Sequence, residues 1–173
     1  MPSCYICYAW EDDIEYKRKV EELADDLENS GFDVFFDMKC NSSYGDDITI
    51  FLNRIFEVDY IFVLGTPEFS RKIKLEKTKV SSEWEKILKR IERNRTEAKN
   101  VIIPILFKGN EQSSFPMQIQ GILYLDFINK SYKSELSNLI YRITETDITH
   151  LHATDKVYMK MLSTFKKAKE EYG

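Results

Sequence analysis

The sequence predicts an α/β fold: a flavodoxin-like, doubly wound sheet of five parallel strands. Three observations carry that expectation. Tyr5-Ile6-Cys7-Tyr8 is an apolar run, followed by an amphipathic stretch and then by a second apolar run, Phe32-Asp33-Val34-Phe35-Phe36-Asp37, which is the order strand, helix, strand. Tyr60-Ile61-Phe62-Val63-Leu64 is continuously apolar and stops at Gly65-Thr66-Pro67, the pattern of a strand buried on both faces. Strands and helices then keep alternating to about Ile143.

The elements follow in order. After the first strand, Ile14, Val20, Leu23, Ala24 and Leu27 keep helical spacing, and Gly31 closes that helix. Ile48, Phe51, Leu52 and Ile55 mark a second helix, with Asp46 or Asp47 as its cap. Trp84, Ile87, Leu88 and Ile91 mark a third, with Ser81 or Ser82 available to cap it. Val101 to Leu106 reads as the fourth strand. Pro104 removes an amide donor there, which places the strand near a sheet edge or interrupts it. Ile122 to Phe127 reads as a fifth strand, and Leu136, Leu139, Ile140 and Ile143 as the helix after it. Two polar segments overhang the C-terminal ends of strands: Asp37 to Asp47, and Glu68 to Lys79, which holds five Lys or Arg. Long loops at that edge are where such folds place function. The chain divides into a domain over 1–146 and a helical extension or linker over 147–173, with a helix expected from Asp155 to Tyr172.

Composition excludes several classes. A chain of 173 residues, 43% hydrophobic and 13% aromatic, builds one core of useful size. A net charge of −4 does not favour nucleic acid. No apolar run approaches the roughly 20 residues of a membrane span, and no secretory leader is visible, so a cytoplasmic protein is expected. Of the three cysteines, Cys4 and Cys7 are three apart in one strand and point to opposite faces, which opposes a disulfide or a shared metal. His150 and His152 are the only histidines and lie in the polar tail, so no metal site is expected. The six glycines are scattered and form neither a dinucleotide nor a Walker loop. A phosphoacceptor receiver of the same architecture would close its third strand with an acid, and this strand closes with Leu64-Gly65-Thr66.

What remains is a carboxylate at a helix start beside a basic loop. Glu83 has an ordinary reading, a favourable charge near the positive end of a helix dipole, and a functional one. Glu85 is the fallback and is expected to point more toward solvent. Trp84 reads as a core anchor. Trp10 follows the first strand and is either a core plug or the wall of a pocket.

Several segments carry a resemblance: Tyr5-Ile6-Cys7-Tyr8-Ala9-Trp10-Glu11-Asp12, Gly31-Phe32-Asp33-Val34, Tyr44-Gly45-Asp46-Asp47, Asp59 to Pro67, Val101 to Leu106 and Leu123 to Phe127. In that order the chain resembles bacterial Toll/interleukin-1 receptor (TIR) domains, in the subgroup close to SEFIR domains, from about Ser3 to Ile143. The resemblance implies a five-stranded parallel sheet and an enzyme that cleaves the nicotinamide–ribose bond of NAD+, as an NAD+ glycohydrolase or ADP-ribosyl cyclase in antiphage defence. NAD+ is then substrate, and no cofactor is needed. Many members place the catalytic Glu four residues after a Trp, but here that position is Leu88. The SEFIR-like pattern, a Val, two residues, then Glu, matches Val80-Ser81-Ser82-Glu83, so the resemblance assigns catalysis to Glu83. It further implies that Ala9, Trp10, Asp37, Ser43 and Gly45 wall the nicotinamide and ribose. Arg71, with Lys72 or Lys74, would meet the pyrophosphate. Self-association through the 37–47 loop, and a sensor or effector partner, are implied as well. The alternatives are a non-catalytic assembly module acting through homotypic contacts and a nucleotide sensor without turnover.

Overall fold

The computed structural model describes residues 1–37, 48–95 and 101–148, together with Thr164 and Lys167. The expectations for Cys40, the Asp46 or Asp47 cap, Ser43, Gly45, the two histidines and nearly all of the Asp155 to Tyr172 helix lie outside these residues. Five strands, β1 (Ser3–Cys7), β2 (Asp33–Phe35), β3 (Tyr60–Gly65), β4 (Ile102–Leu106) and β5 (Leu125–Asp126), form one sheet in the order β2-β1-β3-β4-β5. Every pairing is parallel. The helices are α1 (Ile14–Asn29), α2 (Ile48–Asn53) with a 3-10 turn at Arg54–Phe56, α3 (Pro67–Lys72), α4 (Lys79–Asn94), α5 (Glu111–Ser114) and α6 (Tyr132–Ile148).

Strand alternation builds two cores, one on each face of the sheet. Cys4, Ile6 and Tyr8 of β1 and its end meet Tyr16, Val20, Leu23 and Leu27 of α1 and Leu136, Leu139 and Ile143 of α6. Tyr5, Cys7 and Ala9 meet the opposite layer: Ile55, Phe69 of α3, and Val80, Trp84 and Ile87 of α4. Cys4 and Cys7 are thus free thiols in different cores, as their spacing predicts. Because β2 and β3 flank β1 on opposite sides, the winding reverses at β1 and β3, and their C-terminal ends bound the crevice where doubly wound sheets bind ligands.

Local chemistry explains most element ends. Asp13 caps α1 by accepting from the amides of Glu15 and Tyr16. Gly31 ends α1 at φ +95°, and the Phe32 amide returns to the Leu27 carbonyl. Thr66 caps α3, with Pro67 at its first position.

Five expectations need correction. Ile14 is exposed: it is the first residue of α1, and the buried stripe starts at Tyr16. Thr78, not Ser81 or Ser82, caps α4, because its hydroxyl reaches the Ser81 amide and so moves the helix start back to Lys79. The first half of the Glu68 to Lys79 loop is helix α3. β4 is an interior strand between β3 and β5. The Ile61 amide bonds Val101 and the Phe127 amide bonds Leu106, so alternation turns Pro104 away from β3. On that side β5 has not yet begun, and no ladder bond is lost. Finally, β5 is only Leu125–Asp126. Gly121 turns at φ +80°, its amide held by Glu111, and Ile122 and Leu123 stay outside the sheet and exposed.

Candidate functional site

Glu83 sits on the sheet-facing stripe of α4. Val80, Glu83, Trp84 and Ile87 are spaced as i, i+3, i+4 and i+7, and all four are buried. Glu83 is only 4% exposed, whereas Glu85, two positions on, is exposed as expected. Its carboxylate lies over β1. The Tyr5 hydroxyl donates to Oε1 at 2.6 Å, and the Cys7 thiol to Oε2 at 3.6 Å. No ion pair to Glu83 is present among the described residues. Burial pushes the carboxyl up to about 7, against the Tyr5 bond and the nearby Lys79 charge, which hold it down. The same surroundings push the Cys7 thiol far up, first by burial and then by Glu83, so it is an inert donor rather than a nucleophile.

A second carboxylate organises the rim. Asp37, just past β2, accepts from the Tyr8 hydroxyl at 2.5 Å, Trp10 Nε1 at 3.0 Å and Lys79 Nζ at 2.5 Å. Burial opposes its charge, but the bonds from Lys79, Tyr8 and Trp10 win and hold its carboxyl below the usual range. Lys79 opens α4 one turn before Glu83 and lies over the Phe51 ring of α2 at 5.6 Å. Phe51 in turn packs on the Tyr5 ring at 5.4 Å. One chain of contacts thus joins Trp10, Asp37, Lys79, Phe51, Tyr5 and Glu83 across the ends of β1 and β2 and the start of α4.

Trp10 is exposed, not a core plug. Its indole nitrogen is held by Asp37 and its carbonyl by the Lys72 ammonium. Ala9 is fully buried in the core beneath it. Among the described residues, Arg71 is paired with Glu68 on α3 and is not joined to the Glu83 network, whereas Lys72 meets that network only at its outer end, through the Trp10 carbonyl. An open depression beside Trp10 is lined by Glu11, Asp12, Asp13, Glu68 and Lys72. Its excess of carboxylates repels a pyrophosphate, and Glu83 is not in its wall. Lys108 ties the end of β4 to this acidic turn through Glu11 at 3.0 Å and Asp13 at 2.8 Å.

Sequence reasoning missed Tyr5, Cys7, Tyr8 and Lys79 as parts of the site. One signal for the first two was present: alternation puts residues 5 and 7 on one strand face, and an acid occupies an apolar-stripe position of α4. Among the described residues no group of side chains suits a metal ion, and no helix is long and apolar enough to cross a membrane.

The fold and this edge define a doubly wound α/β domain whose third strand carries no phosphoacceptor: Gly65 there meets Phe115 so closely that an added Cβ would lie 2.3 Å from its ring. The TIR domain family model matches residues 4–140, and the chain belongs to that family. Among solved structures, the TIR domain of the Toll-related receptor TRR-2 from Hydra magnipapillata is similar at 20% identity and a TM-score of 0.57, over 81% of this chain and 95% of that one. A prokaryotic SEFIR domain is similar at 20% identity and a TM-score of 0.57, over 80% of this chain and 96% of that one. At that identity both likenesses concern the fold. No curated protein sequence matches the chain.

Proposed function

We propose that this TIR domain cleaves the nicotinamide–ribose bond of NAD+, with Glu83 as its catalytic carboxylate. The observation that carries the reading is the burial of Glu83 with no ion partner among the described residues. A glutamate serving only the helix dipole lies in solvent, as Glu85 does. Burying an acid costs stability, and a carboxyl pushed up to about 7 beside a ligand edge is the kind of group that active sites maintain.

The chemistry needs little else. The C1′–N bond breaks, its electron pair leaves with neutral nicotinamide, and C1′ becomes oxocarbenium-like. An ionised Glu83 stabilises that charge and accepts from the ribose hydroxyls. Water then adds at C1′ and releases a proton, giving ADP-ribose; a nucleophile within the ADP-ribose itself gives a cyclic product. Trp10, braced by Asp37, offers a ring for stacking at the rim.

The test is incubation of concentrated protein with NAD+, with products resolved by mass spectrometry. Nicotinamide release is expected, and Glu83→Gln should lower turnover by roughly 10²-fold or more, the scale of one lost electrostatic stabiliser. Glu85→Gln should leave it near normal. A second reading is a non-catalytic module acting through contacts with further copies of itself. It is favoured by the exposure of Met117, Ile122 and Leu123 on the β5 side of the sheet. Absence of nicotinamide release at any protein concentration, with self-association retained, would select it.

A further inference from the structure

We propose that Tyr5 and Cys7 are positioning residues for Glu83: two donors on one face of β1 that grip both oxygens of its carboxylate and fix the plane in which it meets a ribose. The inference rests on the reading of Glu83 as catalytic and deepens it. The terminal torsion of a glutamate is soft, with a broad two-fold profile. One contact would leave the second oxygen free to swing. Here the Tyr5 hydroxyl holds Oε1 at 2.6 Å and the Cys7 thiol holds Oε2 at 3.6 Å. The two donors share a face because strand side chains alternate. Each takes one lone pair, and each oxygen keeps another for a substrate hydroxyl.

The donors are themselves held. Tyr5 and Cys7 have no exposed surface, and the Tyr5 ring lies tilted against Phe51 of α2. Neither residue acts on substrate directly. Among the described residues, the titratable groups that bear most on Glu83 are Tyr5 and Cys7 from β1, Lys79 from its own helix and Asp37 from the end of β2, and the Tyr8 hydroxyl past β1 also feels its charge. A hydrogen bond to the charged form of an acid favours ionisation. Loss of the Tyr5 hydroxyl therefore makes Glu83 harder to ionise as well as looser.

The experiment is a pH–rate profile of NAD+ cleavage for the whole chain, comparing wild type with Tyr5→Phe, Cys7→Ala and Cys7→Ser, and with Glu83→Gln as reference. The carboxyl carbon of Glu83 is titrated in parallel by 13C NMR, which reads its ionisation whether or not substrate turns over. Wild-type kcat/KM should rise with pH through a midpoint near 7. In Tyr5→Phe the midpoint should move up by about one unit, the size of one charge-assisted hydrogen bond, and kcat should fall by about tenfold with KM little changed. Cys7→Ala should move both in the same direction by less, and Cys7→Ser should restore them. The inference is overturned if folded Tyr5→Phe and Cys7→Ala keep the wild-type midpoint and kcat while Glu83→Gln is inactive; the catalytic reading then survives. If Glu83→Gln keeps turnover, or wild type has none, the catalytic reading falls, and the NMR midpoints alone decide the grip. Should Tyr5→Phe fail to fold, the Cys7 pair carries the comparison.

Discussion

Replacing Glu83 with Gln should make the domain more stable at neutral pH while removing its activity. The folded carboxyl ionises at about 7 against an ordinary value of 4.5, because burial penalises the charge more than Tyr5, Cys7 and Lys79 favour it. An acid raised on folding binds its proton more tightly in the native state, so unfolding releases protons and stability falls as pH rises between those two values. Below about 4.5 both states are protonated and the group contributes nothing. Above about 7 both are ionised and the full penalty applies. A shift of about 2.5 units corresponds to about 3 kcal/mol at 1.36 kcal/mol per unit. Gln keeps an oxygen for the Tyr5 hydroxyl and carries no charge, so the penalty is removed. Urea unfolding of both proteins, followed by tryptophan fluorescence from pH 4.5 to 8, reads the difference, because the other titrating groups cancel in the comparison. The Glu83→Gln variant should gain nothing at the acid end and up to about 3 kcal/mol at pH 8, raising Tm by roughly 6–12 °C. A difference that stays flat with pH, or a variant destabilised at pH 8, would refute the claim that Glu83 is a strained buried charge. The gain would also be a stability–activity trade-off of the kind active sites show.

Asp37→Asn should lower stability by about 1–3 kcal/mol at pH 7, the scale of lost bonds to a charged group. Because the Asp37 carboxyl is held below 3.8, its contribution is present above that value and lost as pH falls through the folded one, so the gap between wild type and variant in thermal unfolding should narrow as pH falls below 3.8. Asp37→Asn should also free the Trp10 ring, read as a change in its fluorescence anisotropy. Gly65→Ala should cost about 1–3 kcal/mol by overpacking against the Phe115 ring, read by Tm, and a neutral outcome would show that Phe115 has room to move. If copies complete one another's sites, specific activity should rise from nanomolar to high micromolar protein; a flat profile from a strict monomer in light scattering would refute assembly.

Much of this domain is legible in local sequence. The continuous apolar run of Tyr5 to Tyr8 and the helical spacing of Val20, Leu23, Ala24 and Leu27 commit each segment to strand or helix before any partner is present. Strict alternation then leaves few topologies, and the five-stranded parallel sheet is one of them. Glu83 is also visible, as an acid on an otherwise apolar stripe. Its partners are not. Tyr5 and Cys7 lie more than seventy residues away, and only the docking of α4 on the second face of β1 brings them to it. The same holds for Asp37 and Lys79, which flank separate elements and meet only because β2 lies beside β1. Periodicity reports which face a residue shows to the core. Which neighbour waits there, and hence whether a buried acid keeps its proton at pH 7, is set by non-local packing and the loss of water around it, and the tertiary structure alone decides that.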